Sequence, residues 1–99
     1  MLHTVNKSPF EKDTFESCLE HAAKGSAVLL IEDGVYAVLK GSTAAAKAQQ
    51  FMGDITFYAL EPDVNARGIQ GKVIDGVNLV DYAGFVDLTV KFDRVQSWL

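Results

Sequence analysis

The chain has little of what most catalytic or secreted proteins use: one cysteine, two histidines, two prolines and one tryptophan in 99 residues. A single thiol cannot close an internal disulfide, which fits a reducing, cytoplasmic setting. His3, His21 and Cys18 do not form a spaced ligand set, so metal binding has little support. No G-x-G-x-x-G and no G-x-x-x-x-G-K-[ST] occurs, so dinucleotide and P-loop chemistry have none, and no cofactor is expected. There is no apolar run of about 18 residues to span a membrane. The opening residues, Met1 to Pro9, lack the apolar segment of a secretory signal. Basic side chains are outnumbered, 9 against 13 acidic, for a formal net charge of −4. The lysines and arginines are scattered and make no stripe, which argues against a nucleic-acid surface as the main function. A protein partner or a small substrate is the better expectation.

What the chain does have is apolar content, 48% of its residues. That is enough for one core, and residues 1–99 read as a single domain. Leu2–Val5 reads as a first strand, ended by Asn6-Lys7-Ser8-Pro9. Asp13–Gly25 reads as an amphipathic helix. Asp13 and Glu16 give a capping-box-like start, Lys24-Gly25 a closing signal, and Phe15, Cys18, Leu19, Ala22 and Ala23 one buried stripe. Ala27–Ile31 is an unbroken apolar run, the pattern of a parallel strand covered on both faces. Glu32-Asp33-Gly34 breaks it, Val35–Leu39 reads as a short helix, and Thr43–Gln50 is strongly helix-prone. Ile55–Leu60 is a third strand by its β-branched and aromatic content. Glu61-Pro62-Asp63 then reads as a turn, with Asp63 capping a helix through Arg67. Residues 69–76 are loop-like. Val77–Val80 is a fourth strand, Asp81 caps a helix to about Phe92, and Val95–Leu99 is a terminal strand.

This alternation predicts a three-layer α/β/α domain with a small, mostly parallel five-strand sheet and helices on both faces. Ligands gather beyond the carboxyl ends of such strands, here the loops Asn6–Pro9, Glu32–Gly34 and Glu61–Asp63. The acidic pairs there and at Asp81 and Asp87 read as turns and caps. Cys18 is the one candidate nucleophile, and its spacing leaves two readings open. It lies on the border of the helix stripe, where unpaired cysteine serves as a small hydrophobe. His21, one turn on, is placed to stabilise a thiolate when protonated. No orienting third group or oxyanion loop accompanies them for Cys-His hydrolysis.

Five blocks resemble the DsrH/TusB family of small sulfur-relay proteins, in order and over essentially the whole length. They are L-H-T-V-N-K-S-P-F at Leu2–Phe10, L-L-I-E-D-G-V at Leu29–Val35, A-L-E-P-D-V-N-A-R-G at Ala59–Gly68, V-D-Y-A-G-F-V-D-L-T-V at Val80–Val90, and the terminal Trp98-Leu99. The resemblance implies a DsrE-like α/β/α fold. It also implies assembly with DsrE/TusD-like and DsrF/TusC-like subunits into a hexamer with two copies of each. Such a complex passes persulfide sulfur to a DsrC/TusE-like carrier, in sulfur oxidation for the DsrH branch and in 2-thiolation of the tRNA wobble uridine for the TusB branch. Cys18, in its S-C-L context, looks like the cysteine typical of the DsrH branch. The resemblance thus implies a DsrH-like role with Cys18 as a persulfide carrier, alongside a TusB-like role or that of a non-catalytic scaffold. Neither membrane nor direct nucleic-acid contact is implied.

Overall fold

Leu2–Val5, Ala27–Leu30 and Thr56–Leu60 carry enough apolar and β-branched side chains to be buried strands, and they become β1, β2 and β3 of one sheet. The computed structural model describes residues 1–99. Asn78–Val80 (β4) and Val95–Trp98 (β5) complete a five-stranded sheet in the order β4-β3-β2-β1-β5. Every pairing is parallel, with Leu2 opposite both Ala27 and Val95, Ala27 opposite Thr56, and Tyr58 opposite Asn78. The chain steps outward from β1 to β4, then crosses back to lay β5 on the other side of β1. Right-handed crossovers therefore put the first connections on one face of the sheet and the last on the opposite face.

The helices are α1 (Thr14–His21), α2 (Thr43–Phe51), α3 (Glu61–Ala66) and α4 (Tyr82–Lys91), with a 3-10 segment over Glu32–Val38. Phe15, Cys18 and Leu19 of α1, Ala45 and Ala48 of α2, Val64 of α3 and Val35 to Val38 pack with Val5, Val28, Leu30, Phe57 and Ala59 into the main core. On the opposite face α4 stands alone. Only its Leu88 is fully buried, against Leu2, Ala27 and Leu29, with Phe85 and Phe92 half-buried beside it. The two faces are thus covered unequally.

Two helices are capped as side-chain chemistry dictates. The Ser42 hydroxyl accepts from the Ala45 N–H at 3.1 Å, and the Asp81 carboxylate accepts from the Gly84 N–H at 2.8 Å. Three expectations need correction. Asp13 makes no capping bond, because its backbone (φ −90°, ψ 7°) lacks the extended conformation that aims a cap side chain at the helix. The helix also ends at His21 rather than near Gly25, since Ala22 is already extended; Gly25, with φ +91°, forms the turn into β2 instead. Finally, Glu61-Pro62-Asp63 is not a turn. It is the first turn of α3, where proline's missing N–H costs nothing, and Asp63 is thereby freed for a bond elsewhere.

Candidate functional site

The three loops predicted at the carboxyl ends of the strands do meet there. Gly34 packs against the end of β1 so closely that a Cβ would lie inside the Val5 carbonyl oxygen. Beside it, Glu32 holds a left-handed backbone (φ +50°), a conformation that costs a non-glycine residue about 1–2 kcal/mol. Its N–H donates to Asp63 Oδ2 at 2.6 Å, which ties the end of β2 to the first turn of α3. Arg67 completes the knot: Nε donates to Asp33 Oδ1 at 2.9 Å and Nη1 to the Asp63 carbonyl oxygen at 3.2 Å. Next to this knot the Phe10 ring leans on Tyr36, 6.2 Å between centroids. Asn6 Oδ1 is covered and accepts no hydrogen bond. Asp63 and Arg67 stand four residues apart, the spacing that pairs opposite charges on a helix face, and that spacing is their signal in the sequence. Nothing local announces Glu32 as the third member. The rim pairs two carboxylates, those of Asp33 and Asp63, with one guanidinium and holds no thiol or imidazole, so chemically it can position and bind but offers no strong nucleophile.

Cys18 lies elsewhere. It is fully buried in the main core on α1, and burial pushes its thiol up to about 12. The thiolate, the nucleophilic form, is therefore scarce at neutral pH. His21 is exposed and turned to other partners. Its Nδ1 is 2.8 Å from the Ser17 carbonyl oxygen, and its ring lies 5.7 Å from that of Trp98. Trp98 in turn donates its indole N–H to His3 Nδ1 at 3.0 Å. His3 is buried on β1, and burial first, then the charge of the N-terminal ammonium, lowers its pKa. The Trp98–His3 hydrogen bond and the Thr4–Ser97 hydroxyl bond, 3.2 Å long, fasten β5 to β1. Neither surface cleft, one beside Lys40, Gln49 and Asp75 and one between α1 and α2, is lined by Cys18 or either histidine. No three His, Cys, Asp or Glu side chains are grouped to hold a metal ion, and no helix is long and apolar enough to cross a membrane.

An all-parallel five-strand sheet between helical layers, with its loops knotted at the carboxyl rim, defines a small DsrE-like α/β/α domain. The ychN protein from Escherichia coli has the same fold, with a TM-score of 0.77 at 17% identity over 97% of each chain. So does MTH1491 from Methanobacterium thermoautotrophicum, with a TM-score of 0.75 at 14% identity over 97% of this chain and 95% of that one. Within that fold the sequence is more specific. The model of the family described as "DsrH like protein" matches residues 7–95, and the chain belongs to that family. Protein TusB of Escherichia coli is 37% identical over 98 residues, covering 99% of this chain and all of that one. Protein TusB of Salmonella enteritidis is 38% identical over the same span.

Proposed function

We propose that this chain is a TusB-type subunit of a cytoplasmic sulfur relay that serves 2-thiolation of the tRNA wobble uridine. Its partners are TusC-type and TusD-type subunits in a hexamer with two copies of each, and the complex delivers sulfur to a TusE-type carrier. The observation that carries this reading is the end-to-end likeness to proteins named TusB. That likeness favours tRNA thiolation over the sulfur-oxidation role of the DsrH branch, which the S-C-L context of Cys18 suggested. Within the relay the chain acts as a scaffold, and the persulfide travels on a partner's thiol. Support comes from the only cysteine, which is enclosed in the core with its thiol protonated. For Cys18 to carry sulfur, α1 would have to lift from the sheet.

Deleting the gene tests the pathway. Wobble 2-thiouridine, measured by mass spectrometry of digested tRNA, is expected to fall to background and to return with the intact gene. Unchanged 2-thiouridine would refute the reading. Exposure of the assembled complex to a sulfur donor tests the scaffold role, because a mass increase of one sulfur on Cys18 would contradict it.

A further inference from the structure

The sequence holds two Asp-Gly pairs, Asp33-Gly34 and Asp75-Gly76, and the fold treats them oppositely. Aspartyl-glycyl bonds are among the peptide bonds most prone to rearrange, because glycine has no side chain to shield its nitrogen from the neighbouring carboxyl group. At the first pair both reacting groups are occupied. The Gly34 N–H donates to the Ile31 carbonyl oxygen at 2.8 Å, the Asp33 carboxylate accepts from Arg67 Nε at 2.9 Å, and Gly34 is buried against Val5. At the second pair both are free. Asp75 and Gly76 form an exposed turn, and neither the Gly76 N–H nor the Asp75 carboxylate is engaged in a hydrogen bond or ion pair. Asp75 lines the open cleft beside Lys40 and Gln49, where water reaches it. The fold also fixes the glycine. Gly76 has φ +93°, and a Cβ there would lie 2.8 Å from Met52 Sδ. The turn thus demands the residue that leaves the nitrogen unshielded.

We propose that Asp75-Gly76 is a site of spontaneous isoaspartate formation in the folded protein, and that Asp33-Gly34 is protected by its own contacts. The Gly76 nitrogen attacks Cγ of the protonated Asp75 carboxyl group. The N–Cγ bond forms, a C–O bond breaks, and the amide proton leaves with the carboxyl hydroxyl as water. The resulting succinimide then takes up one water. Addition at Cγ restores aspartate, whereas addition at the main-chain carbonyl breaks its bond to nitrogen and leaves the chain running through Cγ. Nothing is oxidised or reduced, and the net mass is unchanged. The product has one extra main-chain atom between Ile74, whose N–H is held by the Val38 carbonyl oxygen, and Asn78, which opens β4 opposite Tyr58. It also presents a free α-carboxylate, the group on which isoaspartyl-specific protein carboxyl methyltransferases act.

The test is incubation of the full chain in water labelled with heavy oxygen, both folded and in urea, until the urea sample has converted at Asp33. Peptide mapping with electron-transfer fragmentation then locates the isoaspartate and the oxygen it took up. The folded chain is expected to hold at least about 10-fold more isoaspartate at Asp75 than at Asp33, since reaction at Asp33 must first break a backbone bond and a charge-assisted one. In urea the two sites should convert alike. Asp75→Asn, which loses ammonia in place of water, should convert faster, and Asp75→Glu, whose ring would be larger, should stay unmodified there. Both variants change an exposed side chain without partners, so the fold is retained. Equal conversion at the two sites in the folded chain overturns the protection. A folded chain that stays unmodified at Asp75 overturns the site.

Discussion

At the scale of the residue, Cys18 shows what spacing conveys and what it omits. The helical period puts it at the border of the α1 stripe. Core packing covers that border, so the thiol is fully enclosed. Alkylation of the native protein should therefore run at least ~100-fold slower than in urea, because the reagent must wait for a local opening that costs about 3 kcal/mol. Equal rates would show an accessible thiol. Cys18→Ser, which leaves a hydroxyl among apolar neighbours, should lower stability by about 1–3 kcal/mol in urea melts. His3 gives a second test. To accept the Trp98 indole N–H at Nδ1 it must be neutral, and burial lowers its pKa below the ordinary 6.5. The unfolded chain thus binds the extra proton more readily. The contribution of His3 to stability is complete above pH 6.5 and is lost as pH falls from 6.5 through the lowered folded value. Denaturation followed by the fluorescence of Trp98, the only tryptophan, should show that slope, and His3→Gln should flatten it.

At the scale of the element, strands and helices follow from the sequence because their signals are local. Apolar runs mark β1 to β3, and Asp81 caps α4 as its position before Tyr82 predicts. Asp81→Ala should accordingly cost about 1 kcal/mol, read from the thermal or urea transition. The joins between elements were not legible in the same way. Asp63 reads as a helix cap but spends its carboxylate on the Glu32 N–H, 31 residues away, a contact set by the juxtaposition of β2 and α3. Asp63→Ala should remove that charge-assisted bond and lower stability by about 1.5–3 kcal/mol. Glu32→Gly should recover part of the loss in the double variant by relieving the left-handed backbone. A double variant no more stable than Asp63→Ala alone would argue that Glu32 is not strained.

At the scale of the whole molecule, alternation of strands and helices gives the α/β/α class, whereas strand order has no local signal. The pairing of β5 with β1 depends on bonds such as Thr4–Ser97 and His3–Trp98, which join residues more than ninety positions apart. The unequal cover of the sheet follows from that order, since one crossover alone returns over the second face. The carboxyl rim was anticipated by fold logic, its membership only in part. The sole thiol is enclosed, the rim holds no strong nucleophile, and one apolar helix face is left open. The direct measurement is sulfur transfer to the tRNA wobble uridine in a relay reconstituted from purified subunits, with this chain present as wild type, present as Cys18→Ala, or omitted. The scaffold role predicts equal 2-thiouridine with wild type and Cys18→Ala, and none when the chain is omitted. Loss of 2-thiouridine with Cys18→Ala in a fully assembled complex would contradict it.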